Sequence, residues 1–263
     1  MSRITYTFDE YINNPSGKGS AVNTTARSSS DSIYQAKLSQ LTEKNGPVKY
    51  KCVRSNDGKI FYILFFIPSE SVQGFTYETV VEFTAPTSEG VSSGDLRNYT
   101  VRFFSNDPSF VYTYAYAYKT HGLLITQFEK KINLRALITK AKIRNPDNSV
   151  GYVKNIYFAY LVMKRDNLFD KAVLSRKIQS GGLSTIMRDV MSFDNKEASR
   201  DKRVRELKGE KETERKEANK VSKSFNFTGG ISNPPSIAKL TKRIMPKTSS
   251  IKKSPTVKRS KKI

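Results

Sequence analysis

Between Phe110 and Tyr118 an aromatic side chain occupies every second position (Phe110, Tyr112, Tyr114, Tyr116, Tyr118), with Val111, Thr113, Ala115 and Ala117 between them. Side chains alternate between the two faces of a strand, so this spacing predicts a β-strand with one aromatic and one small-residue face. Such a strand needs close neighbours on its small side and either a core or a stacking partner on its aromatic side. An uncovered face would stack single-stranded bases. A covered face fills the layer between sheet and helices, the commoner use of alternate aromatics and the favoured reading.

The strands that would neighbour it come earlier. Residues 48–54 and 59–67 read as strands around Ser55-Asn56-Asp57-Gly58, whose residues tolerate the positive φ of a tight turn. The run from Ile60 to Ile67 is apolar on both faces, as a central, doubly covered strand requires. Residues 75–84 alternate again, and 99–105 would pair with 110–118 across Asn106-Asp107-Pro108-Ser109. Together these predict an α+β fold: a five-stranded antiparallel meander, a small sandwich or a barrel, covered by C-terminal helices.

From Gly122 the hydrophobic period becomes helical. Leu123, Leu124, Phe128 and Ile132, then Leu134, Leu137 and Ile138, recur at three and four residues. After Asn145-Pro146-Asp147 the period resumes in Val153, Ile156, Tyr157, Tyr160 and Leu161, and 168–178 and 183–193 add a helical pair around Gly181-Gly182. These helices are expected on one face of the sheet. A short helix over 32–41 follows from Ile33, Ala36 or Lys37, and Leu41, with Asp31 as N-cap and Asn45-Gly46-Pro47 as its end.

Residues 1–30 read as an extended arm. Ile4, Tyr6 and Phe8 alternate weakly, enough for an edge strand or for docking on a neighbour, and 13–32 is crowded with Asn, Ser, Gly and Thr. Ser16-Gly17-Lys18-Gly19-Ser20 lacks the earlier glycine and the preceding strand of a phosphate loop. The β-rich domain with its helices is therefore expected over 31–193, a charged helix or spacer over 194–222, and a basic linear tail over 223–263.

The hydrophobic fraction of 37% agrees with unpacked ends, since globular domains carry roughly 45–50%. A net charge of +22 makes a polyanion or an acidic protein surface the expected partner. The charge concentrates in 236–263, where Lys239, Lys242, Arg243, Lys247, Lys252, Lys253, Lys258, Arg259, Lys261 and Lys262 stand without an acidic residue. Such a segment contacts phosphates of DNA or RNA without reading sequence, with an affinity that falls as salt rises; the other reading is a tail that only solubilises or addresses the chain. Just before it, Phe225, Phe227, Ile231, Ile237 and Leu240 surround Gly229-Gly230 and Pro234-Pro235. They read as anchors of a linear segment that docks in a partner's groove.

Nothing in the sequence assigns a catalytic, metal or cofactor residue. Cys52 is the lone cysteine and reads as a small packed residue; His121 is the lone histidine and reads as an inert turn residue. Asp95, Asp107, Asp147 and Asp166 read as turn and cap residues. No enzyme activity and no cofactor is expected. The longest apolar run, Ile60 to Ile67, is far short of the roughly 20 residues that span a bilayer, so a cytoplasmic, non-membrane protein is expected.

The order of parts (polar arm, β-rich domain, helices, charged extension, basic end) resembles virion-associated structural proteins of tailed bacteriophages. The stretch 99–110, the tyrosine ladder and Gly122-Leu123-Leu124-Ile125 are similar in style to uncharacterised proteins encoded by phages of Gram-positive hosts, and the resemblance covers residues 48–165. It implies a non-enzymatic role in a viral particle, an oligomeric setting among other virion proteins, arms reaching over neighbouring subunits, and residence in the virion and, during assembly, the host cytoplasm. The alternative is a free, sequence-independent nucleic-acid-binding protein that uses the tail and the tyrosine-rich strand.

Overall fold

The computed structural model of the chain describes residues 5–13, 27–86, 94–143, 145, 148, 150–151 and 153–225. The chain divides into two units, Met1–Gly209 and Glu210–Ile263. Strands β1 (Lys49–Arg54), β2 (Ile60–Pro68), β3 (Thr76–Thr84) and β4 (Thr100–Ser105) form one antiparallel sheet in the order β1-β2-β3-β4. Helices α1 (Phe8–Asn13) and α2 (Arg27–Asn45) precede it in the chain, and α3 (Ala115–Thr120), α4 (Leu134–Ile138), α5 (Lys154–Arg165), α6 (Lys171–Ser175), α7 (Gly182–Asp189) and α8 (Phe193–Phe225) follow.

The β1–β2 turn closes where its residue types require, with Gly58 at φ 72° and its N–H donating to the Ser55 carbonyl at 2.9 Å. Register places Cys52, Ile63, Val81 and Phe103 in one cross-strand row and Lys51, Leu64, Val80 and Phe104 in the next, on the opposite face. Helices cover both faces, not one. On the first, α1 inserts Phe8 between Phe103 and Tyr160 of α5, with ring centroids 5.3 and 5.2 Å away. On the second, Phe104 stacks on Phe128 at 4.9 Å, and Lys51 pairs with Asp189 of α7 at 2.8 Å. The doubly apolar run of β2 is explained by this two-sided cover.

The sheet is neither sandwich nor barrel, because short segments cap its edges. Cys52 of β1 accepts from the N–H of Gln179, while on β4 the N–H groups of Val101 and Phe103 donate to Tyr6 and Leu123. Outer N–H and C=O groups that would otherwise template another strand are thereby used. Among the described residues the N-terminal alternation yields a single bridge, Thr7 to Thr100, after which the chain turns helical and buries Phe8 completely.

The predicted fifth strand is a helix. Phe110–Tyr114 forms a π-helical turn, with the Ala115 N–H donating to the Phe110 carbonyl, and runs on into α3. Residues 106–109 are a helix start instead of a hairpin: the Asp107 carboxylate accepts from the N–H groups of Ser109 and Phe110, and the Asp107 carbonyl from Val111. A period of two contains a period of four, so Phe110, Tyr114 and Tyr118 share one helical face as readily as one strand face. Ala115 and Ala117 then favour the helix. Burial separates the ladder accordingly: Phe110 and Tyr118 are in the core, whereas Tyr112 is 61% exposed.

Two helical stripes also differ from expectation. α2 begins at Arg27, which places Asp31 inside the helix, and it buries Leu38 and Leu41 with Tyr34 set edge-on to Tyr157 of α5 at 5.3 Å; Ile33 faces solvent. After Gly122 the chain bends through a 3₁₀ turn (Thr126–Lys131) into the short α4, where Leu137 is buried and Leu134 and Ile138 are exposed.

Candidate functional site

The described part of the chain concentrates its buried charge where α8 meets the sheet. Glu78 of β3 points to the second face and is 3% exposed; Lys196, in the first turn of α8, is 5% exposed. The Lys196 ammonium donates to the Glu78 carboxylate and lies 4.6 Å from the centre of the Phe75 ring. The other Glu78 oxygen accepts from the side-chain amide of Asn106, whose own Oδ1 accepts from the Glu78 N–H at 2.8 Å. Asn106 thus closes the end of the β3–β4 ladder and completes the carboxylate's shell. A lysine buried this deeply requires such a partner, since an isolated ammonium in an apolar interior is costly to desolvate.

About two to three turns further along α8, Val204 and Leu207 rest on a satellite cluster of Val72, Phe75 and Tyr77, and Arg203 donates to the Gln73 carbonyl at 3.3 Å. The charged composition of α8 conceals these two apolar contacts. A solvated helix or spacer is expected from residue 194; the helix forms, and it is anchored over its first four turns or so. From Lys208 to Lys220 every side chain is exposed.

Beside the anchor lies an open cleft of about 310 Å³ lined by Ser69, Glu70, Tyr77, Asp107, Lys154 and Asn155. Burial raises the Asp107 carboxyl above its usual range against the opposing pull of Lys154, and burial pushes the Tyr77 hydroxyl up to about 12. Asp107 is engaged as a cap and accepts from Asn155 at 3.2 Å, and Lys154 pairs with Glu70 at 2.9 Å. These groups hold one another in place, an arrangement suited to fixing geometry. Among the described residues no group of three or more His, Cys, Asp and Glu side chains could hold a metal ion, and no helix is long and apolar enough to cross a membrane.

A second buried carboxylate sits further along β3. Glu82 is fully buried, pairs through Oε1 with Arg102 at 2.6 Å, and leaves Oε2 without a hydrogen-bond partner. Burial raises its pKa, with Arg102 opposing. The lone residues fall as small structural parts. Cys52 is buried, its thiol pushed up to about 12 by burial, and His121 Nε2 lies 3.1 Å from the Asn148 carbonyl. Asp95 caps a 3₁₀ turn through the Arg97 N–H, and Asp166 pairs with Arg165.

Of the residues singled out in the C-terminal segment, Phe225 is the last residue of α8. The other anchors, Phe227, Ile231, Ile237 and Leu240, and all ten tail cations lie outside the described residues, as do the glycine-lysine stretch 16–20 and Asp147. Sequence reasoning missed Glu78, Asn106 and Lys196, because nothing local distinguishes a buried charge from a solvated one. Fold and site together define the class of protein: an α+β domain on a four-stranded antiparallel meander, with helices on both faces and a charged helix latched at its root. No family model, curated protein or solved structure matches the chain.

Proposed function

We propose that the chain is a non-enzymatic structural protein of an assembly, a component of a viral particle. In this reading its domain docks on neighbouring subunits while its basic tail meets nucleic acid or an acidic protein surface. The observation that carries the reading is the asymmetry of α8: a buried ion pair and an apolar contact hold its root, its residues from Lys208 to Lys220 are solvated, and the sequence beyond ends in ten cations without an acid. A buried ion pair adds little net stability but is costly to break, so its main effect is to specify where the root sits. A fixed root followed by a solvated, basic continuation suits a chain that presents a polyanion-binding segment from a scaffold.

The interior placement of Phe110 and Tyr118 argues against an open strand on which bases would stack, and this reading gives the polyanion contact to the tail. Co-sedimentation with virus particles tests the reading: a fixed copy number per particle, measured by quantitative mass spectrometry, supports it. Recovery of the chain only in the particle-free fraction contradicts it.

A further inference from the structure

Six large hydrophobic side chains are exposed among the described residues, and three of them fall within ten residues of chain: Leu134 (68%), Ile138 (62%) and Ile143 (93%). The clustering separates them from the scattered apolar exposure of any protein surface. α4 is firmly seated, with Asn133 accepting from the Arg135 N–H at 2.9 Å at its start and Leu137 turned into the core. Leu134 and Ile138, four residues apart, therefore share a fixed outward face.

The same stretch of chain is basic, and Lys130, Arg135, Lys140 and Lys142 are exposed. Residues 130–143 contain Lys130, Lys131, Arg135, Lys140 and Lys142 and no acidic residue. The preceding acid, Glu129, is engaged by Lys119 at 2.9 Å. We infer that this surface docks an acidic amphipathic segment of a partner protein, its apolar side chains meeting Leu134, Ile138 and Ile143 and its carboxylates meeting the surrounding cations. Charge complementarity selects an acidic occupant. A second copy, itself carrying +22, does not supply it. Nucleic acid offers phosphates to the cations but nothing to three aliphatic side chains, and single strands are held on aromatics instead. Membrane-surface helices lay a long apolar face into the lipid, whereas α4 is five residues long and fixed to the domain.

The inference stands apart from the tail and is tested on the full chain, methyl-labelled at Ile and Leu. The probe is an 18-residue synthetic helix, on the order of five turns, with Leu on one face and Glu on its flanks. The expected result is saturable shifts of the Leu134, Ile138 and Ile143 methyl signals, absent with a matched Leu/Lys helix. In Leu134→Ser/Ile138→Ser the affinity read at Ile143 should fall at least tenfold with the fold intact by circular dichroism. Unmoved methyl signals at saturating peptide overturn the proposal. So does equal binding of a Glu helix without the Leu face, or shifts of these signals with phosphatidylserine vesicles or duplex DNA in place of the peptide.

Discussion

Lys196 meets Glu78 from 118 positions away in sequence, and the pair decides where α8 begins its contact with the sheet. Removing one partner leaves the other charged and buried: Lys196→Ala should destabilise the domain by about 3–5 kcal/mol in urea denaturation. The double substitution Glu78→Gln/Lys196→Met, which removes both charges, should cost far less than the sum of the two single changes. An additive cycle would mean that the two groups do not act as a pair. Glu82 gives a pH-dependent counterpart. Its folded pKa is raised by burial, so the folded chain holds the proton to higher pH than the unfolded one. Its contribution to stability is then full below the free carboxylate value of about 4.3 and is withdrawn as pH rises through the raised value. Gln cannot ionise, so the Tm of Glu82→Gln relative to the natural chain should rise as pH increases from the free carboxylate value of about 4.3 through the raised one; a flat or falling difference would argue that Arg102 compensates the carboxylate fully.

Among the elements, the segment 110–120 separates two geometries that share one sequence pattern. A strand would place Phe110 and Tyr112 on the same buried face, whereas the helix buries Phe110 and exposes Tyr112, whose ring lies 5.1 Å from that of Phe193 in a T-shaped pair. Phe110→Ala should cost about 3–5 kcal/mol and Tyr112→Ala about 1 kcal/mol, the worth of one aromatic pair; equal costs would favour the strand. The four strands of the meander were legible because Ser55-Asn56-Asp57-Gly58 marks a turn and 60–67 is apolar on both faces. The fifth was not, because alternate aromatics fit a period of four as well as two, and the deciding signal lay upstream, where Asp107 followed by Pro108 is a helix start. α2 shows the same limit on a smaller scale: it buries Leu38 and Leu41 with Tyr34 partly buried beside them, and of the expected stripe Leu41 is buried and Ile33 exposed. Of the candidate site, Lys196, Val204 and Leu207 were hidden in a helix whose composition reads as solvated throughout, and the tail cations read from composition lie outside the described residues.

For the molecule as a whole, the last 28 residues carry ten positive charges of a net +22 and no acid. Among the described residues the core is built from both faces of one sheet and the helices against it. Deleting residues 236–263 should therefore leave the urea transition unchanged while removing most of the affinity for polyanions. Neutralising all ten charges on duplex DNA would give a salt slope of about −9 in log K against log salt. The most direct test is to titrate the full chain and the truncated chain with a labelled DNA duplex across a series of salt concentrations. The account predicts a steep slope for the full chain that collapses on truncation, with both proteins equally folded; affinity and slope that survive the deletion would contradict it and place the polyanion contact on the domain itself.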